Sequence, residues 1–569
     1  MSHSHTLFYL CYDLADTPKT NTRSCDGDIW MNINKLFFPS GESQPLPRDL
    51  SRILFLITTV VLFGVISAPV KAQGDCGIVG SINFPVSRQQ FHVMQDFGAP
   101  SVRYQGRYHT GEDYYGGRGT SFGQPVSAIA DGRVTYSAPT GWGRDGGVLI
   151  IEHTMPDGTL AYSMYGHLMS SDAHPFPQKF ACVRAGDIVG TVGDIRPAPH
   201  VHLEIRTNNP DTPGAGYSAQ PPTEIGDLQP TKFILDWQAW LNPAHKWHLQ
   251  LPNDQRPIAA PLVLNDGSMM LLTSDRIRFS SPDGRILWRI ILPQPAVALT
   301  GFEGHPIVTY GDGSMQIVNL DATLGERWTT RVNLDSAPLV VADLLVFHTP
   351  DNGLVAIAAD RHTVAWKVEN IPAFVQATVA PNMIGLLTED NVLITVSPQG
   401  QLINNTQLTD TPFMTTAQDG NLLVYTRNTL SEMDASGTLT KVTENLNGDS
   451  ASSAWVTTAD GSRYFLAGGA APNLLATDYQ GKAMWQLSLP DVTGHAQLIA
   501  KDKALLLLTT GGDLITLQAA SGMICNQLHI YGDRRSRLWY DFGADGLLRV
   551  GLADQIIGLD WKAFAGNCG

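Results

Sequence analysis

Apolar and polar positions alternate in short runs along most of the chain, and glycine, proline, asparagine and aspartate cut the runs. Between residues 77 and 206 such runs fall at 125–130, 132–136, 148–152 and 186–193. Alternation of period two, without any long period of 3.6, predicts short strands joined by tight turns, a mostly β unit. Residues 207–230 are rich in Pro, Gly, Asn and Thr and read as a loop or linker. Phe233, Ile234, Trp237 and Trp240 then recur at helical spacing, an apolar patch expected to pack the end of this unit against a neighbour.

Beyond that point the pattern repeats. Asp283-Gly284-Arg285-Ile286-Leu287-Trp288 returns as Leu324-Gly325-Glu326-Arg327-Trp328, as His362-Thr363-Val364-Ala365-Trp366 and as Gln480-Gly481-Lys482-Ala483-Met484-Trp485. Weaker copies start at Gln399, Ser436 and Ser521, and the spacings run from 37 to 44 residues. A period near 40 residues with several strands per unit predicts a β-propeller, one unit per blade. The glycine makes the turn, and the tryptophan supplies a plate to pack between blades. Eight units follow residue 259, and the last lacks its closing strand. Trp247-His248-Leu249-Gln250-Leu251-Pro252 matches Trp485-Gln486-Leu487-Ser488-Leu489-Pro490. Residues 246–252 are therefore expected to close the ring, which removes an exposed sheet edge. Eight blades are predicted, with seven as the alternative if one weak unit is misread. The repeats resemble the PQQ-type propeller repeat. That resemblance implies the fold, and many such propellers bind no quinone and serve as interaction platforms.

Composition adds compartment and partners. Arg48 and Arg52 precede an uncharged apolar run at 53–66, and Val70-Lys71-Ala72 resembles a signal-peptidase site. The run is shorter than the roughly 20 residues a spanning helix needs. It is read as a signal peptide rather than an uncleaved anchor, within a leader at 1–72. Met31 opens a leader of more ordinary length. The mature protein is thus expected without a membrane span, in the periplasm or outside the cell. A net charge of −15 without a Lys/Arg cluster argues against nucleic acid and anionic membranes as partners. Hydrophobic residues at 43% supply ample core. Four of the six cysteines lie beyond Ala72. Domain membership pairs Cys76 with Cys182 and Cys525 with Cys568 as disulfides. None shows CxxC spacing, so a thiolate metal site is not indicated. The expected domains are 73–240 and 241–569.

Three short motifs carry candidate chemistry. His109-Thr110-Gly111-Glu112-Asp113 sets a histidine and an aspartate four apart; Tyr165-Gly166-His167-Leu168 adds a histidine; His200-Val201-His202 adds two more. On a strand, His200 and His202 share a face. Two imidazoles meeting a histidine and a carboxylate from elsewhere can build a zinc site. A catalytic zinc takes three protein ligands and keeps a position for water, so five groups leave two for acid–base work. Each motif alone is common; their order within 94 residues is specific.

This constellation resembles the M23 metallopeptidases, the lysostaphin-type cell-wall endopeptidases, from about residue 97 to 237. The surroundings agree as well: 123–128, 130–134, 148–153, 186–193 and Leu203-Glu204. The resemblance implies zinc ligands at His109, Asp113 and His202, and water-handling histidines at His167 and His200. It implies hydrolysis of peptidoglycan peptides, with the propeller for targeting or protein contacts. The alternative is a non-catalytic wall-binding scaffold or hydrolase activator; the complete five-residue set favours the enzyme. Glu112 departs from the family, which often has an apolar residue there, and is expected to add negative charge near the metal. Glu204 either orients a ligand or serves the strand. His153 reads as a turn residue. Tyr104, Tyr108, Tyr114, Tyr115 and Trp142 are either groove or core.

Overall fold

A computed structural model describes residues 76–568 except 143–145, 197, 209–211, 253–255, 303, 335, 410–411, 417–419, 427–428, 445–454, 459, 468–472, 490–491, 493–495, 533–537 and 553. The expected leader and its apolar run at 53–66 lie outside the described residues. Among the described residues no helix is long and apolar enough to cross a membrane.

The first part is built on one antiparallel sheet. Its strands run in the order His92–Gln95, Glu112–Tyr115, Val201–Arg206, Leu160–Met169, Gly147–Thr154, Gly132–Ala138, Cys182–Val183. Ile188–Val192 branches off to pair with both Leu160–Met169 and Pro125–Ser127. One face buries Leu149, Ile151, Tyr165, Val201, Leu203 and Ile205 in a common core. The alternating residues His202 and Glu204 therefore point to the opposite face. A second, three-stranded sheet holds Pro100–Ser101, Arg107–His109 and Tyr217–Ser218.

Residues 207–230 are not a linker. Tyr217 pairs with His109, and Arg206 pairs with Asp227. The segment wraps back over the sheet and contributes wall to the candidate site. Glycines and prolines let it bend; they did not detach it.

The apolar patch that follows lies on the helix Pro230–Leu241. Phe233 and Ile234 enter the core of the first sheet, while Ala239 joins Leu506, Leu548 and Phe564 in a propeller core. One helix thus nails two cores together. Its N-terminal end leaves backbone N–H groups without intrahelical partners. Glu112 answers them: its Oε2 accepts from Thr231 N at 3.0 Å and from the Thr231 and Tyr114 hydroxyls at 2.5 and 2.8 Å. Gln229 adds a bond to Oε1 at 3.3 Å. Strand alternation turns Glu112 away from Asp113, so its charge serves the helix rather than the candidate metal site, contrary to expectation.

The remainder shows eight four-stranded antiparallel sheets among the described residues. In one of them the strand His245–Gln250 pairs with Gln555–Asp560, joining a strand ahead of the repeats to the last repeat. The repeat residues explain how neighbouring blades lock. The Trp288, Trp366 and Trp485 indole N–H groups donate to Leu320 O, Pro398 O and Ala519 O, each in the following repeat. The indoles of Trp366 and Trp485 lie flat against Gly400 and Gly522. A Cβ on either glycine would come within 2.6–2.7 Å of the ring. Gly284 receives Trp247 in the same way. Where one repeat has His362 in place of the glycine, at φ +55°, Trp328 stacks on the imidazole at 4.3 Å instead. At Gly284, Gly400 and Gly522 the glycine serves both the left-handed turn and the approaching plate, while His362 makes the same turn and meets its plate by stacking. Cys76–Cys182 and Cys525–Cys568 are disulfide-bonded. The second ties the C-terminal end to the outer strand Ile524–His529.

Candidate metal and hydrolytic site

Adjacent strands set the centre. Asp113 and His202 are directly opposed in register, and His202 also faces Gly166 across the other edge. His109 arrives from the three-stranded sheet. The turn between His109 and Asp113 crosses the Val201–Arg206 strand so closely that a Cβ on Gly111 would sit 2.2 Å from Leu203 O. Only glycine fits there.

The result is a triangle of donor atoms. His109 Nε2 lies 3.0 Å from His202 Nδ1 and 3.2 Å from Asp113 Oδ1; His202 Nδ1 lies 2.9 Å from Oδ1. All three residues are buried, and they can hold a metal ion. Two nitrogens and a carboxylate oxygen at bonds of about 2.0–2.2 Å around a tetrahedral ion would stand about 3.3 Å apart. The donor set therefore fits a small divalent cation.

Glu204 decides which imidazole nitrogen faces the triangle. His202 Nε2 lies 2.9 Å from Glu204 Oε1, and a carboxylate only accepts. Nε2 therefore keeps its proton for Glu204, and Nδ1 is the nitrogen left to donate to Asp113 or, once deprotonated, to bind a cation. Thr110 donates to the same oxygen at 2.5 Å, and Arg206 clasps Oε2. Burial works against ionising Glu204, but His202, Arg206 and Thr110 hold it down at about 2. Burial works against Asp113 as well, yet its bonds to His109 and His202 keep its carboxyl far below the usual carboxylate range. His202 is pressed down by burial but carried up to about 9 by Asp113 and Glu204. These imidazole and carboxylate groups converge on a point that demands a proton or a cation.

His200 precedes the strand. Its Nδ1 donates to Ala198 O at 2.9 Å, leaving Nε2 as an acceptor 3.3 Å from Asp113 Oδ2. Burial lowers its pKa. His167 is brought in by an irregularity: it sits at φ +60° where the strand Leu160–Met169 bulges against Gly147–Thr154. The bulge re-aims the imidazole so that its ring lies 4.8 Å from that of His200. Trp142 walls this side, 4.7 Å from His167 and 5.5 Å from His202. It packs where Gly166 leaves room, and its indole N–H donates to Gly214 O at 2.8 Å. All five motif residues are gathered in one place.

Other candidates separate. Tyr114 belongs to the core. Tyr104 stacks at 4.1 Å on Tyr217, whose ring lies 5.2 Å from His109. Tyr217 went unnoticed in the sequence because its segment carried no periodicity. His153 is not a turn residue. It is buried within Gly147–Thr154, with Nδ1 at 2.8 Å from Asp131 O and Nε2 at 2.7 Å from Ser163 Oγ. Burial pushes it down to about 4, so it serves as a neutral link in the core.

Residues 107–213 match the model of peptidase family M23, and residues 273–418 match that described as outer membrane protein assembly factor BamB. The chain carries an M23 peptidase domain followed by BamB-like propeller repeats. Among solved structures, BamB from Moraxella catarrhalis is 11% identical, with 55% of this chain and 98% of that one covered at a TM-score of 0.40. Saccharomyces cerevisiae Sqt1 is 10% identical, over 56% and 98% of the two chains, at 0.43. A quinohemoprotein alcohol dehydrogenase from Pseudomonas putida is 12% identical, over 57% and 76%, at 0.40. No curated protein matches the chain.

Proposed function

We propose that this chain is an exported zinc metalloendopeptidase that hydrolyses peptide bonds of bacterial peptidoglycan, and that its propeller holds a protein partner. The domains proposed with it are a leader at 1–72, a peptidase at 73–240 and a propeller at 241–569. The observation that carries the reading is the triangle of His109, Asp113 and His202, its edges between 2.9 and 3.2 Å. These residues would hold the zinc, with Glu204 fixing the tautomer of His202. The metal, when bound, supplies Lewis acidity toward a carbonyl and toward water. His200 is built to accept a proton at Nε2, since Nδ1 is committed to Ala198 O. His167, set apart by the bulge, faces the same space and takes the complementary role of holding charge or returning a proton. Trp142 walls their shared side with an apolar ring. The two disulfides accord with an oxidising compartment.

The test is digestion of purified cell wall by the zinc-loaded protein, with released fragments identified by mass spectrometry. New amino termini at one type of peptide bond are expected, and none with His202→Ala. Zinc-loaded, folded protein that releases nothing would favour the scaffold or activator reading.

A further inference from the structure

Beside the metal triangle lies a cavity of about 310 Å³, lined among others by Thr110, Arg206, Asn208, Tyr217, Ser218 and Asp227. Its volume is at the lower end of small-ligand sites, about 300 Å³. Gly216 forms the wall toward the metal: a Cβ there would sit 3.6 Å from the His202 ring. Whatever fills the cavity is thus one backbone thickness from the candidate hydrolytic centre.

Most polar groups around it are already engaged. Thr110 donates to Glu204. Arg206 is taken by Glu204 and by Pro213 O at 2.6 Å. The Asn208 amide donates to Ile225 O at 3.2 Å, and Ser218 Oγ accepts from Gln220 N at 3.1 Å. Tyr217 reaches Gln95 at 3.2 Å. Asp227 is different. It is 5% exposed, and among the described residues its carboxyl has no hydrogen bond and no ion pair. Strand pairing with Arg206 holds it at the cavity floor. Its carboxyl opens onto the cavity, with Arg206 and His202 as the nearby positive charges, and so offers an acceptor to a cationic group that enters.

We propose that this cavity is a subsite for a cationic amino group, carried by a diamino-acid side chain of the peptide substrate, with Asp227 as its counter-charge. The proposal rests on the peptidase reading and names part of its substrate. Burial and the nearby Glu204 push Asp227 up to about 7, so a bound ammonium would restore the charge that the empty cavity disfavours. An anionic side chain is excluded, because the one guanidinium in the wall is already spoken for.

Two peptides test this, identical except that one diamino-acid side chain carries a free amine in one and an acetylated amine in the other. With the zinc-loaded full chain, kcat/KM should be at least about tenfold higher for the free amine, mostly through KM. Asp227→Asn should bring that ratio to about one. Ala215→Leu, which narrows the cavity without touching the carboxyl, should reduce it likewise. A ratio near one in the wild type, or an undiminished ratio in folded Asp227→Asn, overturns the proposal. If neither peptide is cut, the peptidase reading fails by itself, and calorimetric binding of the same two peptides decides the subsite. Tighter binding of the amine that is lost in Asp227→Asn supports it, and equal binding overturns it.

Discussion

Val201–Arg206 in the first domain and Gly353–Ala358 in the propeller are both six residues long, paired on two edges and almost wholly buried. Their backbones do the same work. Every second residue of the first is His202, Glu204 or Arg206; the second carries only Gly, Leu, Val, Ala and Ile. Aliphatic burial needs only volume, and neighbours can adjust to it. Buried charge needs partners at fixed points, so His202, Glu204 and Arg206 depend on Asp113, Thr110 and Pro213 from other segments. The first strand should therefore tolerate almost nothing, and what it loses should be function. The second should lose stability in proportion to volume removed.

Substituting the triangle should have the largest effect. Asp113→Ala or His202→Ala should take bound zinc from about one per chain to near zero and lower wall hydrolysis roughly 10³-fold or more. Metal analysis of purified protein checks this; a folded His202→Ala that keeps its zinc would remove His202 from the ligand set.

The next effect separates chemistry from metal. His167→Ala and His200→Ala should each lower turnover about 10²-fold while zinc stays near wild type. Because burial lowers the pKa of His200, it remains an acceptor below the ordinary histidine value of 6.5. Activity should be complete at neutral pH and fall only as pH drops below that value and His200 gains a proton. A rate–pH profile taken with zinc content at each pH would show the limb, and His200→Ala should lack it.

Smaller again is the support of the ligand. Glu204→Gln keeps the shape but loosens His202, and zinc affinity should weaken about 10–100-fold. Competition with a chelator measures it. An unchanged affinity would leave Glu204 with only a role in the strand.

The propeller closes the comparison. Trp366→Ala removes the plate over Gly400 and one bond to Pro398, and should destabilise its repeats by about 2–3 kcal/mol. Zinc content and cleavage of a short peptide should not change. Thermal denaturation and peptide assays on the same sample would expose any coupling between the two regions.

Much of this was legible along the chain. Gly and Trp recurring about every 40 residues announced the repeats, because each blade must make the same turn and bury the same plate. His109, Asp113, His167, His200 and His202 stood out because few other side chains do metal and acid–base chemistry. Tyr217 and Asp227 did not stand out, and Glu112 stood out with the wrong destination. Glu112 reads as a charge next to a candidate ligand, and only the paired strands show it facing the helix end at Thr231. Tyr217 and Asp227 lie in a stretch without period, where composition describes bending but not destination.

Local physics thus decided the strands, the turns, the repeats and the inventory of reactive groups, since these depend on neighbours within a few residues. Tertiary structure decided which groups meet. The triangle needs atoms about 3 Å apart drawn from positions 93 residues apart in the chain. His167 reaches it through a bulge, Glu112 leaves it through strand alternation, and the 207–230 segment returns to wall it. Each of those outcomes is set by pairing register and packing across the whole domain, where a shift of one residue turns a side chain to the other face.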